Sequence, residues 1–308
     1  MLPVLALVVS FSLPAVQAAA PSSASPRDAL LVSPAWVAQH LKDPDLVLLH
    51  VGDKAEYETG HLPGARFVSL QEISVSDRSG QGLVMEMPPA ETLRAKLSAL
   101  GISDRSRIVV YFGKDWVSPA ARLVFTLDYA GLGDRVSLLD GGQPAWVRDG
   151  QAVTATIPEV KAGTLKPLAI RPLIVTKEQV RDRAGKPGQA LIDARNVAFY
   201  EGTQTGGGPD HPHRTGHIQG AMSLPFNETT DDRLLLRSND ELKALFTKAG
   251  VKPGDTVTAY CHLGQQATAV IFAARTLGYE VRLYDGSFEE WSRFPELPVD
   301  NPAATKQK

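Results

Sequence analysis

The chain contains the same ordered set of short motifs twice, and this repeat constrains its fold more than any other sequence feature. A Gly-His-x-x-Gly-Ala motif occupies residues 60–65 and again 216–221. An Asp-Gly-x-x-x-x-Trp motif occupies residues 140–146 and again 285–291. Because the period is close to half of the 308 residues, the sequence predicts two copies of one domain rather than a solenoid of short repeats.

Each copy alternates segments of helical and of strand character. Ser33 before Pro34, Thr176 with Gln179, and Asn239 are candidate helix starts. Strands are predicted at 46–50, 107–111, 136–139, 190–193 and 256–260, and helices at 90–100, 120–130 and 267–277. This alternation predicts an α/β fold in which each domain has a mostly parallel sheet with helices on both faces.

The repeat and the changes in composition divide the chain into four parts. They are a signal peptide at 1–18, an N-terminal domain at 28–150, a linker with scattered Pro and Gly at 151–173, and a C-terminal domain at 174–300. The leader is an apolar run too short to span a membrane, and it ends in a Val-Gln-Ala cleavage pattern. No Lys or Arg precedes this run, so a buried N-terminal segment is the alternative. We expect a periplasmic or secreted protein without membrane attachment once the leader is removed.

Cys261 is the only cysteine of the chain and the strongest candidate for a reactive group. It directly follows the predicted strand 256–260 and precedes the helix 267–277. Ligands of open α/β sheets bind at the carboxyl ends of strands, and the amides and dipole of a following helix favour a thiolate over a thiol. Gly264 permits a tight turn that brings the loop amides together. The sequence therefore predicts a nucleophile, with a small buried hydrophobic residue as the alternative.

The second copy resembles the tandem rhodanese-like sulfurtransferases, which include thiosulfate and 3-mercaptopyruvate sulfurtransferases. The resemblance covers nearly everything after the leader, and the first copy echoes three of its five motifs. The motifs are Asp193-Ala194-Arg195, Tyr200-x-Gly202-Thr203-Gln204, the Gly-His motif at 216–221, the loop that opens at Cys261, and the Asp-Gly-Trp motif at 285–291.

The resemblance implies a sulfurtransferase that works in two steps and needs no cofactor. Cys261 would take the outer sulfur of a donor such as thiosulfate, and a second nucleophile such as cyanide or a thiol would remove it from the persulfide. The partners are therefore a small-molecule donor and acceptor, with a thiol protein as a further acceptor. The residues placed to contact the donor are His262, Leu263, Gly264, Gln265, Gln266 and Arg195. The two glutamines have an alternative role as caps of the following helix.

The first copy differs at the position of the nucleophile. Phe112 stands where the second copy has Cys261, and the loop after it is longer. Because a phenylalanine cannot carry sulfur, the first domain is expected to be catalytically inert and to wall the cleft.

The loop departs from both forms of the family. It reads Cys-His-Leu-Gly-Gln-Gln, whereas the thiosulfate type has Cys-Arg-Lys-Gly-Val-Thr and the mercaptopyruvate type has Cys-Gly-Ser-Gly. Leu263 stands where the family has a donor-binding lysine, and Phe199 where it has an arginine. A charge-assisted bond contributes about 1.5–3 kcal/mol, so thiosulfate should bind more weakly. His262, Arg195 and Arg214 are possible substitutes for the missing charge, although Arg195 has a structural alternative as the ion pair of its motif and Arg214 as a solvated loop residue.

Other functions are less compatible with these residues. A cysteine phosphatase of this fold would need an arginine at the end of the loop, where the chain has Ala267. The formal net charge of −2 gives no electrostatic reason to expect nucleic acid as a partner. The main alternatives are a periplasmic sulfur carrier that turns over slowly, or a 3-mercaptopyruvate sulfurtransferase.

Three histidines, His211, His213 and His217, lie close together in the second copy. The first two stand in a Gly- and Pro-rich loop without a suitable set of further ligands, so no metal site is predicted. His217 belongs to the Gly-His motif, as His61 does in the first copy, and both are expected to be structural.

Overall fold

The computed structural model describes residues 25–77, 79, 82–114, 116–208 and 212–305. The predicted signal peptide lies outside these residues. Within the described part, no helix is both long enough and apolar enough to cross a bilayer.

The first half of the chain forms a five-stranded parallel sheet with the strand order β1-β5-β4-β2-β3, so that β4 is central. Its elements are α1 (Pro26–Leu30), β1 (Leu31–Val32), α2 (Pro34–His40), β2 (Leu46–Val51), α3 (Lys54–Thr59), β3 (Arg66–Val68), α4 (Ala90–Ala99), β4 (Arg107–Phe112), α5 (Val117–Tyr129), β5 (Val136–Leu139) and α6 (Gly142–Arg148).

The second half repeats this arrangement in a parallel sheet with the order β6-β11-β10-β7-β9. It also contains a separate two-stranded antiparallel sheet formed by β8 and β12. Its elements are β6 (Ile174–Val175), α7 (Lys177–Arg183), β7 (Gln189–Asp193), α8 (Val197–Tyr200), β8 (His217–Ile218), β9 (Met222–Ser223), α9 (Asn239–Lys248), β10 (Thr256–Tyr260), α10 (Ala267–Thr276), β11 (Glu280–Tyr284), α11 (Ser287–Ser292), β12 (Val299–Asp300) and α12 (Pro302–Thr305). The predicted fold class, two α/β domains each built on a parallel sheet, is confirmed.

The helix starts follow from capping side chains. Ser33 caps α2 and Thr176 caps α7 in a capping box, both as predicted. The prediction that Asn239 caps α9 is wrong. The hydroxyl of Ser238 accepts the N–H of Glu241 while the Glu241 carboxylate accepts the N–H of Ser238, and this reciprocal pair makes Asn239 the first helical residue.

Alternate residues of each central strand face different cores, as the period of a β-strand requires. Ala259 and Cys261 lie in a core that both domains share, whereas Tyr260 lies in a core of the C-terminal domain alone. In the first copy, Phe112 lies in the shared core and Tyr111 in the separate one. The side chain of Cys261 therefore lies on the face of its sheet that is turned toward the other domain.

Residues 151–173 connect the two sheets without forming a helix or strand of their own. Thr154 pairs with His61 in an isolated bridge, and the N–H of Gly163 donates to the carbonyl of Ser98 at 2.8 Å. The segment is thus held along the N-terminal domain.

Candidate active site

Cys261 lies at the carboxyl end of the central strand β10, ahead of helix α10. It is a free thiol, and only 1% of the residue is exposed. Its N–H donates to the hydroxyl of Ser287 (N···Oγ 3.2 Å), and its carbonyl accepts the N–H of Phe288 at 3.0 Å. These bonds fix the cysteine backbone at the point where the loop begins.

Gly264 makes the turn of this loop. Its φ is +79°, and a Cβ at this position would lie 2.9 Å from the backbone oxygen of Asp285 and 3.0 Å from Nη1 of Arg122. Glycine is therefore required for both conformation and space. The Gly264 carbonyl accepts from Nη1 of Arg122 at 3.1 Å, and the same nitrogen donates to Oδ1 of Asp285 at 2.7 Å. Arg122 belongs to α5, so the N-terminal domain contacts the loop directly.

Ser287 is a site residue that the sequence reasoning missed. It is fully buried with φ +53°, a conformation that residues other than glycine rarely adopt. Its hydroxyl donates to the carbonyl of Tyr284 at 2.9 Å and accepts from Cys261. The equivalent residue of the first copy is Gly142 (φ +56°), where a Cβ would lie 2.7 Å from the ring of Phe112. The change from Asp-Gly-Gly to Asp-Gly-Ser between the copies was the available signal.

Arg195 lies in a buried ion pair beneath the loop. Only 1% of it is exposed, and its Nη2 donates to Oδ2 of Asp193 at 2.6 Å and to the carbonyl of Gly216 at 2.7 Å. The Tyr260 hydroxyl donates to the same carboxylate at 2.8 Å, and the guanidinium lies 4.0 Å from the ring centre of Phe288. These contacts favour the structural role for Arg195 over contact with a donor.

The ring of His262 packs edge-on against Phe199, with ring centres 4.6 Å apart, and its centre lies 5.7 Å from that of His213. Burial, aided by the charge of nearby Arg195 and by His213, lowers the pKa of His262 to about 4. Burial and Arg195 likewise lower the pKa of His213 to about 4. Both imidazoles are therefore neutral near pH 7. The low pKa argues against the expectation that His262 supplies positive charge.

The other candidate donor-binding residues differ in the contacts that they make. The side-chain amide of Gln265 donates to the hydroxyl of Ser118 on α5 at 3.2 Å. Gln266 occupies the N-cap position of α10 but forms no side-chain capping bond, so that alternative is wrong. Leu263 is half-buried. Arg214 is not a solvated loop residue, because its guanidinium donates to two backbone carbonyls.

His217 and His61 occupy equivalent positions in the two domains. His217 stacks on Tyr200 with ring centres 3.7 Å apart, and His61 stacks on Tyr57 at 4.0 Å. In each, Nδ1 lies within hydrogen-bonding distance of the carbonyl of the stacked tyrosine. The predicted structural role is confirmed. In the described residues, no group of three or more His, Cys, Asp or Glu side chains is placed to hold a metal; His211 lies outside them.

A buried thiol at the end of a central parallel strand, facing a second copy of its own domain, defines a tandem α/β protein with a cysteine-based site. The model of the rhodanese-like domain matches residues 33–149 and 176–294. The chain therefore belongs to the rhodanese-like family.

Proteins similar to this chain cover most of its length. A thiosulfate sulfurtransferase of Pseudomonas aeruginosa is 30% identical over 275 residues, which are 88% of this chain and 97% of that protein. The sulfur carrier protein TtuD of Thermus thermophilus is 30% identical over 283 residues, covering 88% and 96%. The structure of SseA from Escherichia coli, described as a 3-mercaptopyruvate sulfotransferase, has a TM-score of 0.72 and 28% identity, covering 83% and 98%. The chain is accordingly an enzyme of the sulfurtransferase type.

Proposed function

We propose that the protein moves a sulfane sulfur from a donor such as thiosulfate to a thiophilic acceptor through a persulfide on Cys261. The thiolate attacks the outer sulfur of thiosulfate, the S–S bond of the donor breaks, and sulfite leaves with its electron pair. Cyanide or a thiolate then attacks the terminal sulfur of the persulfide, and the Cys261 thiolate departs with the electrons of the S–S bond. Each step passes one neutral sulfur atom, so no oxidant or reductant is needed.

The observation that carries this proposal is the contrast between the two strand ends. Cys261 ends β10 in front of a loop and a ten-residue helix, whose first amides and dipole stabilise negative charge on a bound sulfur. At the equivalent end of β4, the first copy has the buried ring of Phe112, which has no atom that can accept sulfur. One reactive centre per chain follows.

The charges around the site bear on the choice of donor. Arg195 is paired with Asp193, Arg122 is paired with Asp285, and the two neighbouring imidazoles are neutral. A dianion therefore gains little from side-chain charge here, and we expect thiosulfate to half-saturate the protein at roughly millimolar concentration.

A sulfur carrier that delivers its persulfide to a thiol protein is the second candidate. The similarity to the carrier protein TtuD favours it, as does the pairing of Arg122 and Arg195 with carboxylates, which leaves these two cations less able to draw in an anionic donor. The similarity to SseA supports 3-mercaptopyruvate as an alternative donor. The lower charge of this molecule, compared with thiosulfate, also suits a site with little free positive charge.

Initial-rate kinetics test the proposal and separate these candidates. With thiosulfate and cyanide both varied, a persulfide intermediate gives parallel lines in double-reciprocal plots, and Cys261→Ser gives no thiocyanate. Intersecting lines, or turnover that survives in Cys261→Ser, would contradict the proposal. A persulfide that cyanide discharges slowly but a protein dithiol discharges quickly favours the carrier.

We also propose that the protein is exported to the periplasm or the medium. The apolar leader that ends in Val16-Gln17-Ala18 supports this proposal. N-terminal sequencing of the protein from fractionated cells is the test. A start directly after Ala18 in the exported fraction is expected, and an intact leader in the cytosolic fraction would contradict it.

A further inference from the structure

We propose that Arg122, from the catalytically inert copy, is a positioning residue that fixes the loop around Cys261. This inference rests on the proposed role of Cys261 as the nucleophile. The guanidinium is only 2% exposed. One of its nitrogens, Nη1, bonds both the carbonyl of Gly264 in the loop and the carboxylate of Asp285, the residue that follows β11. The C-terminal domain thus supplies the nucleophile, and the N-terminal domain holds the loop that surrounds it.

Because a peptide group is planar, the bond from Arg122 to the Gly264 carbonyl also fixes the direction of the next amide in the loop. The bond between Gly264 and Gln265 is trans, since the described chain contains no cis peptide. In a planar trans peptide, the N–H points away from the carbonyl of the same unit. Because the Gly264 carbonyl is directed at Arg122, the N–H of Gln265 is directed to the opposite side, away from Arg122. Arg122 thereby sets the direction of one of the loop amides that we propose to stabilise negative charge on sulfur.

A second contact from the same helix supports this role. The hydroxyl of Ser118 accepts from the side-chain amide of Gln265 at 3.2 Å. Residues 118 and 122 lie one turn apart on α5 and therefore share a face of that helix. The inert domain accordingly holds two consecutive loop residues, Gly264 by its carbonyl and Gln265 by its side chain.

Comparison of the domains separates this role from simple adhesion between them. Asp140 accepts the N–H of Leu236 from the opposite domain at 2.8 Å, and Asp285 accepts the N–H of Met87 at 2.9 Å. Each domain thus has an aspartate that accepts an N–H from the other domain. Asp285 is also bonded by Arg122 of the facing helix α5, whereas Asp140 forms its bond although the facing helix α10 has no arginine at the position that corresponds to Arg122. Counted back from the glycines that follow α5 and α10, the residue of α10 that corresponds to Arg122 is Ala269.

The burial of a charged group at position 122 also points to a role beyond stability. A buried ion pair commonly contributes no more to stability than apolar residues of similar volume. The guanidinium of Arg122 contacts polar groups: the carbonyls of Gly264 and Met85 and the carboxylate of Asp285. An apolar residue at position 122 would leave these three acceptors, the Gly264 carbonyl among them, without this donor.

The test uses the full chain with Arg122→Met and Arg122→Lys, and Arg275→Met as a matched control. Arg275 forms a second pair between the domains, with Asp128 at 3.1 Å, near the opposite end of α10. Asp128 retains Arg171 as a partner when Arg275 is removed. Two readouts are compared: the pH profile of Cys261 alkylation by iodoacetamide, and single-turnover persulfide formation from thiosulfate, followed by intact mass.

We expect Arg122→Met to move the midpoint of the alkylation profile upward by about one pH unit. The maximal rate of persulfide formation should fall about tenfold, with little change in the thiosulfate concentration for half-saturation. Arg122→Lys should recover part of the rate, and Arg275→Met should match the wild type in both readouts. If Arg122→Met does not fold, Arg122→Lys decides by the same profile and rate.

Wild-type behaviour of the Arg122 variants, or an equal change in Arg275→Met, would overturn the inference. Failure of the wild-type protein to take up sulfur would instead contradict the role of Cys261. The two failures are therefore distinguishable.

Discussion

The two domains share their scaffold down to single hydrogen bonds. The hydroxyl of Tyr111 accepts the N–H of Leu62 at 3.1 Å, and that of Tyr260 accepts the N–H of Ile218 at 3.0 Å. The tryptophans of the Asp-Gly-Trp motifs are buried in both copies, and each donates its ring N–H to a backbone carbonyl. Because the copy without a cysteine keeps these contacts, they belong to the fold rather than to the chemistry.

The domains differ where the C-terminal one carries charge or a reactive atom. Opposite Tyr111 in the sheet stands His50, and opposite Tyr260 stands Asp193. Asp193 is paired with Arg195, whereas neither ring nitrogen of His50 has a hydrogen-bond partner in the described structure. In the described structure, the first copy therefore has no counterpart of the Asp193–Arg195 pair at this position of its sheet. This difference indicates that the pair serves the site, since the same fold forms without it.

Moving the cysteine from the end of β10 to the end of β4 should have the largest effect on activity. Cys261→Ser is expected to abolish thiocyanate formation, and adding Phe112→Cys to it should not restore any. The first copy lacks the supports of the second, because Gly142 offers no hydroxyl to a cysteine at position 112. Truncating the buried phenylalanine should also cost about 3 kcal/mol, so circular dichroism must show that the double variant is folded. Thiocyanate formation by the double variant would mean that the shared scaffold alone is enough to make a cysteine at this position transfer sulfur.

Removing the acidic residue beneath the site should distinguish the copies by stability. Asp193→Ala leaves Arg195 buried without its carboxylate and should lower the free energy of unfolding by about 3–5 kcal/mol. His50→Ala removes a group without hydrogen-bond partners in the described structure and should cost about 2 kcal/mol, at the lower end of the range for large-to-small core substitutions. Urea unfolding near neutral pH compares the two. Equal losses in the free energy of unfolding would show that the ion pair stabilises the fold no more than His50 does.

Acid should destabilise the N-terminal domain through its buried histidine, His50. Burial, with the nearby His61 acting in the same direction, lowers the pKa of His50 from 6.5 to about 4. As the pH falls, the unfolded chain takes up this proton first, so stability that is complete above pH 6.5 is lost down to about pH 4. The loss from this group is up to about 3 kcal/mol. His50→Leu should lose less stability than the wild type between pH 7 and about pH 4.5 in urea unfolding. Parallel losses in the two proteins would refute this assignment.

Converting Ser287 to the glycine of the first copy should have the smallest effect on stability. Ser287→Gly relieves the strain at φ +53° but loses the hydroxyl that holds the N–H of Cys261. These effects oppose each other, so we expect a change below about 1 kcal/mol in the free energy of unfolding. Sulfur transfer should fall about tenfold, because the nucleophile loses its support. Ser287→Ala keeps the strain and serves as the control. Unchanged kinetics in both variants would show that the hydroxyl has no role.

The sequence predicted the features that depend on local pattern. Strand β10 and the start of α10 were located correctly, because buried β-branched runs and helical periodicity are local signals. The position of Cys261 at a strand end followed from them. Repeated motifs also showed that there are two domains, since comparison of a chain with itself needs no structure.

Features that depend on contacts between distant segments were missed. Arg122 lies within an apolar helical run, and only the packing of α5 against the other domain brings it to Gly264. The neutral state of His262 depends on burial between Phe199 and His213, which no spacing along the chain reveals. The strain at Ser287 is likewise a backbone property that residue identity does not encode.

The intact mass of the protein after incubation with thiosulfate tests the central claim most directly. The wild type should gain the mass of one sulfur atom per chain, and cyanide should remove that mass with formation of thiocyanate. Cys261→Ser should gain nothing. A wild-type protein that gains no mass from thiosulfate or 3-mercaptopyruvate, or a Cys261→Ser variant that still gains it, would contradict the assignment of Cys261 as the sulfur-carrying nucleophile.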